Sequence, residues 1–279
     1  MVNVVVVDND PAGSAESAVY EVKQAGFPFE LSYVLESTPG IARARNTGVR
    51  ASAGAECVAF IDDDEEAEPQ WLAELLAARS LIGAGVVLGP VLARLSDLRC
   101  SSWLTRFLCV SPGVSGPAPV TAFKTGNVLI GMELLRGLIG PFNEAFALSG
   151  GEDTELGLRL WRGGARFWWN AEARVWEHVP PGRLRPAWLL RRAFRTGNAL
   201  VFCHRAVFPA GQWWRLSVRV GVASLAWGFL KLPPCVFLGP ARLLGALVDL
   251  ARGCGVIAAL AGFRYEEYRT HPPPPKREV

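Results

Sequence analysis

Five consecutive carboxylates, Asp62-Asp63-Asp64-Glu65-Glu66, follow directly on the apolar run Val58 to Ile61. Acidic side chains packed this tightly repel one another, and a divalent cation with oxygen ligands removes that cost most simply. At the end of a buried strand they would stand where open α/β sheets place their ligands. The same run equally suits a solvated acidic turn, because Glu65, Glu66 and Glu68 are favourable at a helix N-terminus. A second pair, Glu152-Asp153, comes after Gly150-Gly151 and opens an amphipathic stretch. Two carboxylates there can cap a helix or carry chemistry.

The surrounding pattern supplies elements to position both groups. Val2 to Val7 is a β-branched run ending in Asp8-Asn9-Asp10-Pro11, which reads as a buried strand and its loop. Helical patterns are expected over residues 14–25, 40–53 and 69–81, with strands at 31–35 and 58–61 between them. Trp71, Leu72, Leu75 and Leu76 form the expected inner face of the third helix. This alternation predicts a parallel sheet with helices on both faces. Beyond Gly83 the expectations are a strand over 86–91, an irregular segment over 96–116 and a strand-like stretch over 121–130 broken at Gly126-Asn127. A helix over 152–163, with Leu156, Leu160 and Trp161 on one side, and short strands at 167–169 and 173–175 complete this part.

The chain has 279 residues, of which 50% are hydrophobic, so a sizeable core is available. A net charge of +3 is too small to indicate a nucleic-acid partner. Its distribution says more: acids concentrate before Glu177, and a basic cluster runs from Arg183 to Arg219. The six cysteines form no CxxC pair and read as reduced, mostly buried thiols. No signal peptide pattern opens the sequence, which predicts a cytoplasmic location. From Trp213 to Phe263 the composition is strongly apolar, yet charged residues, Pro233-Pro234 and Gly239-Pro240 interrupt it. With Trp213, Trp214 and Trp227 beside Arg215 and Arg219, helices lying in a membrane interface are expected there, against the competing reading of core helices in a soluble unit. The proline-rich residues 271–279 read as disordered.

Several motifs together carry a family resemblance: VVVDND at the first strand, ARARNTG, FIDDDE, TGN at Thr125 to Asn127, GGEDTEL, and the stretch from Trp176 to Gly197 with EHVPP and RRAFRTG. In this order and spacing they resemble family 2 glycosyltransferases of GT-A fold, of the bacterial exopolysaccharide type. The resemblance implies a Rossmann-like mixed α/β sheet flanked by helices over residues 1–205, followed by a helical, membrane-associated segment over 206–270. It also implies a nucleotide-sugar donor and an inverting transfer to a glycan acceptor, the acceptor being polyprenyl-diphosphate-linked at the cytoplasmic face of the bacterial inner membrane.

The site residues follow from the same resemblance. Asp62 and Asp64 would hold Mg²⁺ or Mn²⁺ against the diphosphate leaving group; His178 would complete the metal site or contact phosphate, the competing reading being a structural histidine at a strand end. Asp63 would contact the ribose or donor sugar. Asp8 would contact the nucleotide base, with Asp10 in the same loop, and Arg45 would reach the diphosphate or hold the acidic loop, unless it lies on a solvated helix face. In the pair Glu152-Asp153, Asp153 is the expected general base. Arg183, Arg185, Arg191, Arg192 and Arg195 around Trp188 and Phe194 form a basic amphipathic pattern that suits an anionic lipid or an acceptor diphosphate, the competing reading being packing plus surface charge. The QxxRW motif of processive synthases is absent, so one sugar per encounter is expected. Members of the family usually begin one βα unit earlier. That predicts an unpaired strand edge and raises an alternative, a truncated, inactive homologue acting in binding or assembly.

Overall fold

The computed structural model describes residues 1–83, 85–95, 107, 114–119, 121 and 123–266. The expected irregular segment at 96–116 falls mostly outside these residues, and the expected disordered tail at 271–279 falls wholly outside them.

The chain begins with β1 (Asn3–Asp8), α1 (Glu16–Gln24), β2 (Glu30–Leu35) and α2 (Ile41–Ala51). Next come β3 (Cys57–Ile61), β4 (Glu65–Ala67), α3 (Trp71–Ile82), β5 (Val86–Leu88) and β6 (Val91–Leu95). They are followed by β7 (Gly116–Pro117), β8 (Asn127–Gly131), α4 (Met132–Leu135), α5 (Glu152–Arg162), β9 (Phe167–Trp169) and β10 (Val175–Val179). Three long helices complete the order: α6 (Pro186–Val207), α7 (Ala210–Leu238) and α8 (Pro240–Leu260).

The central sheet has the strand order β3-β8-β5-β9-β7, with β8 antiparallel to both β3 and β5. The sheet is therefore mixed, where simple strand–helix alternation pointed to a parallel one. Side chains alternate across it, as the pleat requires. Val128 and Ile130 of β8 join Val86, Leu88 and Trp169 in a core covered by Ala42 and Val49 of α2 and Leu156 and Leu160 of α5. Leu129 and Val87 face the opposite way, against Leu75 and Ala78 of α3.

β1 and β2 pair in parallel as a separate two-stranded sheet, while β10 joins β4 and β6 in a third. Among the described residues, β1 pairs only with β2 and β3 only with β8.

Several expectations are corrected. Residues 86–91 form two strands rather than one, because Gly89-Pro90 turns the chain into a different sheet. The last strand begins at Val175 instead of Ala173. Leu76 and Trp161 are exposed, because in each helix the buried stripe is narrower than its apolar composition suggests. Of the described cysteines, Cys203 is buried, Cys57 half-buried and Cys254 exposed. Helix α7 runs on through Pro233-Pro234, and the break falls at Gly239, whose φ of 87° is left-handed.

The three C-terminal helices pack against the sheet-bearing part of the chain. Cys203, Val207 and Phe208 meet Leu158 of α5 and Phe146. Helices α6 and α8 approach closely through glycines. A Cβ on Gly255 would fall 2.0 Å from the Phe194 carbonyl oxygen, and one on Gly197 would fall 2.1 Å from that of Arg252. Gly255→Ala is accordingly expected to lower stability by about 1–3 kcal/mol through forced separation of the helices. Gly245→Ala, where the added carbon would lie 3.8 Å from Phe107, is the matched control and should not destabilise. Thermal denaturation of the two variants checks this.

Candidate active site

Strand β3 ends at Ile61, opposite Asn127 of β8, and the chain then turns through Asp62-Asp63-Asp64 into β4. The Glu65 amide closes the turn on the Asp62 carbonyl at 3.1 Å, and the Glu65 Oε2 accepts from the Asp62 amide at 3.0 Å. Glycine at position 126 makes room for this carboxylate, since a Cβ there would lie 2.4 Å from Glu65 Oε1. Burial, with Asp62, Asp64 and Glu177 nearby, raises the Glu65 pKa to about 8 even though the Asp62 amide opposes the shift. The Asp62 carboxyl is also raised, by burial first, against the opposing charge of Arg45. The acidic run is thus a half-buried turn in which burial opposes ionisation of Asp62 and Glu65.

Arg45 projects from α2 into this turn. Its Nη2 donates to Asp62 Oδ1 at 3.2 Å, and its Nη1 donates to Glu152 Oε1 at 2.5 Å. The Arg45 and Glu152 side chains are 11% and 6% exposed, so this is a buried ion pair. Burial and the adjacent Asp153 push the Glu152 pKa up, against the pull of Arg45. Among the described residues no donor reaches Glu152 Oε2, although that atom is buried.

Asp153 lies beside Glu152 in the first turn of α5. Its Oδ1 accepts from the Thr154 amide at 2.6 Å and from Thr154 Oγ1 at 3.2 Å. The helix can begin here because Gly151 takes a φ of 104° and lies against α6, with Cys203 Sγ donating to its carbonyl at 3.3 Å.

The other anticipated residues are distributed around this core. Asp64 Oδ2 accepts from Arg183 Nη1 at 3.2 Å, and the same nitrogen donates to Glu177 at 2.6 Å. Asp63 is exposed at the tip of the turn. His178 donates its amide to the Asp64 carbonyl at 2.9 Å, while its ring faces Glu66 at 3.6 Å. Among the described residues, no three potential ligands are gathered into a metal cage. Asp8 and Asp10 lie at the end of β1, where Asp10 Oδ1 accepts from the Ala12 amide at 3.0 Å. The Asp8 carboxylate accepts from the Ala15 and Asp10 amides at 2.7 and 3.0 Å and from Tyr33 Oη at 3.1 Å. Burial pushes its pKa up, but these bonds outweigh that and hold it below the ordinary carboxylate value. Asn9 ties the same loop to the start of α2 by accepting from the Gly40 amide at 2.7 Å.

Sequence reasoning gave Glu65 no part beyond the acidic run, placed Arg183 with a lipid or acceptor diphosphate rather than on Asp64, and gave Glu177 no role. The signal for Glu65 was its place at the fourth carboxylate of a strand-end run. Glu177 shows no such signal until β10 pairs it with Glu65 across the sheet.

Comparison with known proteins decides the family. Residues 2–129 match the family described as Glycosyl transferase family 2. Over 274 residues the chain is 34% identical to the succinoglycan biosynthesis protein ExoM of Rhizobium meliloti (strain 1021), covering 95% of this chain and 85% of that protein. This chain belongs to glycosyl transferase family 2. The glycosyltransferase also resembles the mannosyltransferase PcManGT from Pyrobaculum calidifontis, solved in complex with GDP-Man and Mn²⁺, with a TM-score of 0.60 at 20% identity. That match covers 92% of this chain and 77% of the mannosyltransferase. Residues 1–349 of S. aureus TarS, solved with UDP-GlcNAc, match at a TM-score of 0.51 and 14% identity, covering 95% of this chain and 84% of that one. These likenesses give the fold as GT-A.

Proposed function

We propose that this glycosyltransferase moves one sugar from a nucleotide-sugar donor to a lipid-linked glycan acceptor, with inversion and with Mg²⁺ or Mn²⁺, in polysaccharide synthesis. The observation that carries the reading is the Arg45 bridge. One guanidinium joins the acidic turn to the N-terminus of the helix that bears Asp153. The ExoM relative, named for succinoglycan biosynthesis, supports the polysaccharide context, and the Mn²⁺ and sugar nucleotides of the structural neighbours support the donor class.

The residues fit a divalent ion of the kind held by one or two carboxylates plus substrate phosphates, rather than by a protein cage. Asp64 and Asp62 would hold it, with His178 nearby; it would offset charge on the departing diphosphate. Their hard oxygen donors suit Mg²⁺ or Mn²⁺. Asp153 would accept the proton of the acceptor hydroxyl as that oxygen attacks the anomeric carbon from the face opposite the diphosphate. The unpartnered Glu152 Oε2 would accept a hydrogen bond from a sugar hydroxyl. Asp63, at the tip of the turn, would face the ribose or donor sugar, and the Asp8–Asp10 loop would border the base.

Arg192 lies over the Trp188 ring at 5.1 Å. Burial and then Arg195 lower its pKa, and Glu177, Arg183 and Asp153 also act on it. A guanidinium so placed would receive a phosphate on the acceptor. In this reading residues 1–205 carry out transfer and 206–270 supply the membrane surface. Trp214, Val222, Trp227, Phe229 and Leu230 of α7 are exposed, as are Arg215 and Arg219 of the same helix. Such a surface suits the headgroup region at the cytoplasmic side of a membrane. Helix α8 is also long and apolar enough to cross one by length and composition.

Calorimetric titration with UDP, GDP and other nucleoside diphosphates, with and without Mn²⁺, tests the donor site. Metal-dependent binding that weakens on the order of tenfold or more in Asp64→Ala is expected. A folded protein that binds no nucleotide under either condition would sink the reading.

A further inference from the structure

After α8 the chain reverses at Gly262, whose φ is 94°, and residues 263–265 run back along α6. Asn198, 1% exposed in α6, fixes this return. Its Nδ2 donates to the Phe263 carbonyl at 2.8 Å, and its Oδ1 accepts from the Tyr265 amide at 2.9 Å. The rings of Phe263 and Tyr265 flank Phe194 at 6.4 and 6.0 Å. Arg264, held between them, reaches a different part of the molecule. Its Nη2 donates to the Ala145 carbonyl at 2.6 Å and to Ser149 Oγ at 3.1 Å. The guanidinium also lies 5.5 Å from the Phe146 ring centre and 5.1 Å from that of Phe202.

The segment so gripped is short and leads to the proposed base. Ala145 to Ser149 is followed at once by Gly150 and Gly151, with φ of 68° and 104°, and then by Glu152 and Asp153. Two consecutive left-handed glycines make a joint that does not hold its own direction. On one side Cys203 of α6 donates to the Gly151 carbonyl. Arg264 holds the other end, across 119 residues of sequence.

We infer that Arg264 is a positioning residue for Asp153, and that residues 263–265 form a strap through which the C-terminal helices set the geometry of the base. A planar guanidinium suits the task because it can serve two acceptors while stacking on aromatic rings. The kinetic consequence rests on Asp153 being the base. The strap itself does not.

Hydrogen exchange on the full chain, in Arg264→Ala and Arg264→Lys, separates the two. Arg264→Ala should accelerate amide exchange over residues 145–153 by on the order of tenfold, with β5 and β8 unchanged. Arg264→Lys, which keeps a cation and one donor, should restore much of the protection. In transfer assays Arg264→Ala should lower kcat and leave the donor KM unchanged. Unaltered exchange at 145–153 in Arg264→Ala would overturn the strap, as would a uniform rise across the molecule that lysine does not reverse. Asp153→Asn serves as the separate arm. If it transfers sugar normally, the base assignment falls while the exchange result stands.

Discussion

Asp153→Asn is expected to reduce glycosyl transfer by about 10²–10⁴-fold, the range that a positioned general base contributes. Nucleoside diphosphate affinity should be unchanged, because Arg45 bonds to Asp62 and Glu152, whereas the Asp153 carboxylate bonds to Thr154. Asparagine preserves the size of the side chain and its acceptor toward the Thr154 amide, so α5 should still begin at the same residue. It lacks the basic oxygen needed to take a proton. Donor consumption and product formation, with the donor ranked first by titration, measure the first effect and calorimetry the second. Parallel loss of transfer and of nucleotide binding would remove Asp153 from the role of base and make it a donor-site residue.

Arg45→Met should have the largest effect on stability. Removing one member of a buried pair leaves the other charge uncompensated, at about 3–5 kcal/mol. Glu152 is nearly sealed from solvent, and its second oxygen has no donor among the described residues, so little is available to replace the guanidinium. For comparison, Arg43 and Glu144 pair at 2.8 Å with side chains 37% and 48% exposed, and Arg43→Ala should cost no more than about 1 kcal/mol. Thermal and denaturant unfolding should rank the two arginines in that order. Adding Glu152→Gln to Arg45→Met should recover part of the loss, since the residual buried charge is then removed. An Arg45→Met variant as stable as Arg43→Ala would show that the pair is solvated in solution and contradict the bridge.

The acidic strand end and the Gly-Gly-Glu-Asp helix start were legible because each announces itself locally, by charge density or by residue types at a helix N-terminus. The β–α order to Ile82, apart from β4, was readable for the same reason: its apolar runs are continuous, whereas β4 is an acidic segment with no strand pattern. Sheet direction was less accessible. Nothing in Asn127–Gly131 distinguishes an antiparallel strand from a parallel one, since both are buried apolar runs. Trp161 and Leu76 were misplaced because apolar residues at helical spacing do not say how wide the covered stripe is. The partners of Arg183 and Arg264 were invisible for a deeper reason. Each reaches its acceptor across 119 residues, and a lone arginine carries no local mark of its target.

The separation of β1 and β2 from the central sheet has a mechanical consequence. Helix α1 contributes no buried residue, so the first forty residues cohere mainly through one parallel strand pair and the packing of α2. A segment this thinly attached opens at lower free energy than the sheet beside it. It carries the Asp8–Asp10 loop, and α2, which anchors it, also carries Arg45. A ligand that touched this loop would therefore do more than fill a pocket. By closing the segment it would suppress its opening and, through α2, steady the guanidinium that joins the acidic turn to Glu152 at the start of α5. Donor capture and assembly of the reacting groups would then be one event.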